Sequence, residues 1–264
     1  MRIAIGLEYD GADYAGWQRQ PHARAIQTEV ERALGFVADH AVAITCAGRT
    51  DAGVHAAGQV AHFDTAAARS MRSWMLGANT RLPPDVAVTW AVPVTGDFHA
   101  RYWAVARTYR YVILNRTVRP ALGRHRVCWI HEDLDAAAMH AAGQVLVGEH
   151  DFSSFRASEC QSRSPVRRLA GLRVWREGSL VLLEVTANAF LHHMVRNIAG
   201  TLITVGCGER SGEWVQEVLQ ARDRRAAGVT APPGGLYLLR VDYPPEAGLP
   251  VVAAGPASAI IPGA

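Results

Sequence analysis

The sequence predicts an α+β protein: two ferredoxin-like halves, each in the order β-α-β-β-α-β, forming one continuous, mostly antiparallel sheet around a central cleft. Three observations lead there. Short runs alternate apolar and polar residues with a period of two, as half-buried strands do. Longer segments between them repeat apolar residues at helical spacing. The same succession of patterns occurs twice in 264 residues, although the two halves share little identity.

In the first half, residues 2–9 read as a strand and 25–38 as an amphipathic helix. Strands follow at 41–47 and 58–64, a helix at 70–78, and the strand "DVAVTWAV" at 85–92. In the second half, "RTYRYVIL" (107–114) alternates as a strand, and 133–148 is helical with Asp133 or Asp135 at its N-cap. Residues 168–188 form a hairpin turning at Glu177-Gly178, and a long helix over 189–206 ends at Gly206. A shorter helix near 213–221 precedes the closing strand at 235–243. The expected division is 1–103, 104–245 and a flexible tail at 246–264, where three prolines interrupt a stretch without period.

An apolar share of 49% suits a globular core, and no run approaches the 18 or so apolar residues of a membrane span. The first residues reach Glu8 and Asp10 too soon for a signal peptide. The four cysteines (Cys46, Cys128, Cys160, Cys207) contain no CxxC pair, which fits reduced thiols in a cytoplasm and offers no zinc spacing. The net charge of +3 is small, but its distribution is uneven. Residues 101–126 hold seven arginines and no acid, and residues 156–176 hold six against one glutamate. All 27 basic residues are arginine, a side chain whose planar fork suits phosphate. A GC-rich coding sequence accounts for much of the missing lysine. It does not account for the local lack of acids, which marks a surface facing a polyanion.

The stretch "CAGRTDAGVHAAGQV" (46–60) sets Arg49, Thr50 and Asp51 between Gly48 and Gly53, in the connection between two strands. A phosphate-binding loop needs Gly-Lys-Ser/Thr where this chain has Gly53-Val54-His55, and the dinucleotide spacing is absent. A lone aspartate in a glycine turn has two readings: a cap on its own loop amides, or a carboxylate presented for chemistry.

"GRTDAGVHA" resembles the signature of the tRNA pseudouridine synthases that modify uridines 38, 39 and 40 of the anticodon stem-loop. "YDGADYAGWQRQ" (9–20), "FHARYWAVARTYRYVI" (98–113), "DFSSFRASECQSRSPVR" (151–167), "NAFLHHMVRNIAG" (188–200) and "GLYLLRVDYP" (235–244) resemble further blocks of that family, in order. The resemblance spans about residues 1–245. It implies an RNA isomerase without cofactor or metal, acting on the tRNA anticodon stem-loop as a cytoplasmic homodimer, with the central cleft catalytic. It implies Asp51 as nucleophile, with Arg49 beside it in the turn. It implies Arg196 as the carboxylate's partner, Tyr109 stacking on the target base and aiding proton transfer, and Leu236 against the uracil. A paired target must be flipped out, and phosphate contacts help offset that cost. Arg19, Arg101, Arg156, Gln161, Arg163 and Arg167 are the expected RNA contacts, with Ser162 beside them.

Other readings weigh against these. Tyr111 suits a core position better than Tyr109 does. His192 and His193 lack the HExxH pattern and diverge by about 100° on the expected helix. Tyr14 and Trp17 either buttress the Asp51 loop or simply pack. A non-catalytic tandem RRM-like RNA-binding protein has no use for Asp51 and should carry a basic-Gly-aromatic RNP string that is missing. An aspartate-nucleophile hydrolase acting on nucleosides needs a second carboxylate, and no convincing one is present.

Overall fold

The computed structural model describes residues 1–250, which fall into two compact units: residues 1–106 with 237–250, and residues 107–236. In the first unit, strand β1 (Arg2–Tyr9) is central. Helix α1 (Ile26–Ala38), β2 (Ile44–Cys46), β3 (His55–Asp64), α2 (Met71–Asn79) and β4 (Val86–Val94) follow. β1 pairs antiparallel with both β3 and β4, and β2 pairs antiparallel with β3. This is the 4-1-3-2 strand order of a split β-α-β-β-α-β unit, as the patterns predict.

Both faces of β1 are covered, so its run is buried almost throughout rather than in alternation. Ile3, Ile5 and Leu7 are fully buried, each contributing about 1.5–3 kcal/mol. α1 buries Ile26, Val30, Ala33 and Leu34, a stripe at helical spacing. α2 starts at Ser70, whose Oγ accepts the Ser73 N–H at 3.1 Å, and buries Trp74 and Ala78. Gly6 has no alternative in the middle of β1: a Cβ there would lie 2.1 Å from the Trp90 indole nitrogen.

Ala4 packs in a cluster with Phe98, Ala100 and Ala247, bordered by Trp103, Tyr243 and Leu249. The expected tail therefore starts too early: residues 245–247 form a 3-10 turn, and Ala247 is buried. The remainder of that tail, 251–264, lies outside the described residues. The closing strand β10 (Leu236–Asp242) clusters from Tyr237 onward with the first unit, whereas the expected division placed it in the second.

The second unit contains β5 (Ala106–Asn115) from Arg107 onward, β6 (Cys128–Ile130), α3 (Ala136–Gly143), β7 (Gly148–Asp151), β8 (Val166–Glu177), β9 (Leu180–Ala187), α4 (Met194–Gly206) and α5 (Trp214–Ala221). β9 pairs antiparallel with β5 and β8, β7 with β8, and β6 runs parallel to β5. Asp135 is the N-cap of α3, its carboxylate accepting the Ala138 N–H at 2.9 Å.

Three expectations fail here. α3 stops at Gly143 instead of 148, because the chain tightens into a 3-10 turn and Gly148, at φ +113°, opens β7. β6 and β7 have three and four residues, too short for a period to show. α4 begins at Met194, not at 189. The Asn188 carboxamide oxygen accepts the N–H groups of Arg168 and Ala189, and His193 adopts φ +61°, so the chain bends before the helix starts.

Candidate active site

The strand edge of β3 sets the address of Asp51. β2 covers β3 only from Phe63 to Ala61, while β10 runs parallel to its start, with Tyr237 opposite His55 and Leu238 opposite Ala56. The loop 47–54 enters β3 at this start. Gly58 lets β10 approach, since a Cβ there would lie 2.2 Å from the Leu239 carbonyl oxygen.

Asp51 opens a tight turn: the Val54 N–H donates to the Asp51 carbonyl at 3.1 Å, and Gly53 in the third position has φ +75°. That geometry is a type II turn, whose third residue needs glycine's freedom. The segment 9–17 clamps the turn from outside. The Trp17 N–H donates to the Thr50 carbonyl at 3.0 Å, and the Gly53 N–H donates to the Tyr14 carbonyl at 3.2 Å. Gly16, at φ +96°, approaches so closely that a Cβ would lie 2.7 Å from the Thr50 oxygen. At Gly11 a Cβ would lie 2.0 Å from the Val54 oxygen.

Side chains complete the clamp. Tyr9 Oη and Thr50 Oγ1 share a buried hydrogen bond of 2.8 Å, and Gln59 Nε2 donates to the Gly48 carbonyl at 2.7 Å. Tyr14 Oη donates to Asp85 at 2.6 Å with the Arg24 guanidinium over its ring, and burial together with Asp85 raises its pKa. Tyr14 and Trp17 thus do buttress the loop, through their main-chain groups, while their rings pack. In the turn itself Thr50 is buried, Asp51 half-buried and Arg49 exposed. Cys46, at the root of the loop, is pushed up to about 12 by burial, with Arg49 and Arg101 acting in the opposite sense, so it stays a thiol.

Tyr109, Arg196 and Leu236, expected around the reacting uracil, lie beyond the start of β5, in the second unit. Tyr109, on β5, is nearly buried and meets the Phe190 ring edge-on, with centroids 5.0 Å apart. Tyr111, two residues on along the same face, is fully buried and donates from Oη to the Pro232 carbonyl at 2.7 Å, a core position as expected. Arg110 points the other way and pairs with Glu184 at 2.8 Å. Arg196, in the first turn of α4, donates from Nε to the Ala231 carbonyl at 2.8 Å and accepts the Ala231 N–H on its own carbonyl at 3.1 Å. The loop before β10 is thereby clasped to α4, and Gly200 leaves it room: a Cβ there would lie 1.8 Å from the Val229 oxygen. Leu236 opens β10 and is buried.

Arg19 is exposed and reaches Glu31 at 3.2 Å. Arg101, Gln161 and Arg163 are exposed, and Arg156 is half-buried. Arg167 is turned into its own loop. Its Nη1 donates to the carbonyls of Ser164 at 2.9 Å and Val166 at 2.6 Å, and its Nη2 to Ser162 Oγ at 2.6 Å. His192 and His193 are not helical neighbours, contrary to the helix expected over 189–206: they precede α4, with rings 4.0 Å apart. Sequence reasoning missed the Tyr9–Thr50–Gln59 network. Its only trace is three polar residues at otherwise apolar strand and loop positions.

Among the described residues no helix is long and apolar enough to cross a membrane. A family profile described as tRNA pseudouridine synthase matches residues 6–103 and 142–244. The chain is 55% identical over 256 residues to a tRNA pseudouridine synthase A of Vibrio campbellii, covering 97% of each. It is 55% identical over 255 residues to one of Coxiella burnetii, covering 97% of this chain and 98% of that protein. With one of Methylococcus capsulatus it shares 61% over 249 residues, covering 94% of this chain and 92% of that protein. A solved Cbf5-Nop10-Gar1 complex is matched at a TM-score of 0.37 and 10% identity, over 89% of this chain and 57% of that chain, which adds nothing about the fold. With a profile matching in both units and relatives of this identity along nearly its whole length, the chain belongs to the tRNA pseudouridine synthase family.

Proposed function

We propose that this chain isomerises uridine to pseudouridine at one or more of positions 38, 39 and 40 of the tRNA anticodon stem-loop, with Asp51 as the nucleophile. The observation that carries this reading is the clamped turn. Asp51 stands at the start of a type II turn held by main-chain bonds to residues 14 and 17 and by the buried Tyr9–Thr50 pair. A carboxylate that only capped its own loop would not need a second segment to fix its backbone.

The reaction is balanced within the substrate. The N1–C1′ bond breaks, the uracil rotates while bound, a C5–C1′ bond forms, the C5 proton leaves and N1 gains one. No electron is gained or lost overall. Asp51 attacks either C1′ or C6, and either attack needs an ionised, aimed carboxylate. In this reading Arg196 favours the ionised form, and its Nε bond to Ala231 fixes the plane of its fork. Tyr109 stacks on the flipped base and helps move the C5 proton, Leu236 packs against the uracil, and Arg49 serves the catalytic turn beside Asp51. Arg19, Arg101, Arg156, Gln161 and Arg163 supply polar and phosphate contacts that offset base flipping. Arg167 acts one step back, by holding the loop that carries Gln161 and Arg163. A cytoplasmic homodimer spanned by one tRNA completes the reading.

The test is tritium release from tRNA transcribed with 5-tritiated uridine. Wild type is expected to release tritium and Asp51→Asn none, with tRNA binding retained. Equal release by both removes Asp51 as nucleophile. Binding without release by wild type favours a non-catalytic RNA-binding protein.

A further inference from the structure

Tyr102 is 75% exposed, yet it is not loose. Its ring stacks on His99, with centroids 4.2 Å apart and planes 28° from parallel. His99 is fixed in turn: its Nδ1 accepts the N–H groups of Arg101 at 3.2 Å and Tyr102 at 3.3 Å, and the Trp103 N–H closes on its carbonyl at 2.9 Å. Behind it, His62 is buried and accepts the Ala100 N–H on Nδ1 at 3.1 Å, its ring 4.9 Å from that of His99. The Arg101 guanidinium lies 5.9 Å from the centre of the Tyr102 ring. Phe98 and Ala100, fully buried, root this turn in the core of the first unit.

An aromatic ring that stays wet contributes little to folding, so its rigid backing calls for another cause. The place is informative. His62 sits opposite Thr45 on β2, next to Cys46, where the Asp51 loop begins. Tyr102 stacks on His99, which lies against His62, so the ring stands near the root of that loop, and the Arg101 charge is among those acting on the Cys46 thiol.

We infer that Tyr102, backed by His99, is a stacking seat for an unpaired base of the RNA substrate next to the reacting uridine, with Arg101 meeting the adjoining phosphate. This rests on the reading that the substrate is RNA whose target base is flipped. Flipping one nucleotide strips a stacking partner from its neighbour, and a fixed ring at the surface replaces it. Because the ring meets a base face and no base edge, the seat tolerates any base. This suits an enzyme that meets different neighbours at successive positions.

The experiment uses full-length protein and an anticodon stem-loop RNA with 2-aminopurine placed in turn on each side of the target uridine. Wild type is expected to quench one of these positions on binding. Tyr102→Ala should lose that quench and bind about five- to a hundredfold more weakly. Tyr102→Trp should keep both, and His99→Ala should lose part of the quench by freeing the ring. Thermal midpoints of the Tyr102 variants should match wild type, since the ring is exposed. Wild-type affinity and quench in Tyr102→Ala overturn the proposal, as does weakened binding with the quench unchanged. Tritium release by the same wild-type preparation separates the failures. With release present, a neutral Tyr102→Ala sinks the seat alone; with release absent, the substrate reading falls and the seat with it.

Discussion

The Gly53 N–H reaches back to the Tyr14 carbonyl at 3.2 Å, so the turn that presents Asp51 is pinned by a residue 39 positions earlier. The "YDGADYAGW" segment and the "GRTDAGV" loop are two sides of one clamp. Gly11 and Gly16 are the points where their backbones touch.

Gly16→Ala should therefore damage activity more than its chemistry suggests. The φ of +96° and the 2.7 Å approach to the Thr50 oxygen cannot both accommodate a methyl group, so the loop must shift. Strain of about 1–3 kcal/mol is expected. A displacement approaching 1 Å at Asp51 lowers the single-turnover rate on the order of a hundredfold. Gly178→Ala is the control: its φ is +56°, but it stands at a hairpin tip with open space around it. It should lower the thermal midpoint slightly and leave the rate unchanged. Equal rates for both variants would show that the clamp does not position Asp51.

Tyr9→Phe removes the 2.8 Å bond to Thr50 and leaves a buried hydroxyl unsatisfied. The expected loss of stability is about 1–3 kcal/mol by urea unfolding. Thr50→Val in the Tyr9→Phe background should then cost less than Thr50→Val alone, a coupling of about 0.5–3 kcal/mol. Strict additivity would mean that the pair does not act as a unit.

Arg163 and Arg167 should separate by readout. Arg163 is exposed and Arg167 holds Ser162, Ser164 and Val166. Arg163→Ala should lower the salt slope of tRNA binding by about one and leave the thermal midpoint alone. Arg167→Ala should lower that midpoint by a few degrees, about 2–4 °C per kcal/mol lost. The reverse pattern would exchange their roles.

The first unit was legible almost element by element, because long strands and amphipathic helices carry a period. β6 and β7 were not, since three or four residues cannot display one. The start of α4 was missed because "NAFLHH" is apolar enough to read as helix, while the bend depends on the Asn188 side chain and on the positive φ of His193. The tight turn that carries Asp51 was legible through its glycines. Composition points Arg167 toward RNA, and only three-dimensional contacts reveal that it folds back on its own loop. Tyr9, Thr50 and Gln59 belong together only through the β1–β3 register, in which Gln59 stands opposite Leu7 and Tyr9 opposite Ala56.

His62 predicts a dependence on pH. It faces His99 and Arg2, Asp64 on its own strand, the Thr45 backbone and the Ala100 N–H. Burial first, then the positive neighbours His99 and Arg2, lower its pKa from 6.5 to about 4, with Asp64 opposing. Between those values the unfolded chain binds a proton that the folded chain refuses. Stability is therefore fully present above about pH 6.5 and is lost progressively as the pH falls toward 4, by up to roughly 3 kcal/mol. His99 is lowered as well, by burial and Arg2, and adds in the same direction. The carboxylates of Asp64 and Asp151, held low by their own partners, act only below this window. Urea midpoints measured from pH 8 to 4 should fall through this range for wild type and fall less for His62→Gln, which keeps an acceptor near the Ala100 N–H without titrating. A variant whose midpoints track the wild-type curve would assign the acid sensitivity to other groups.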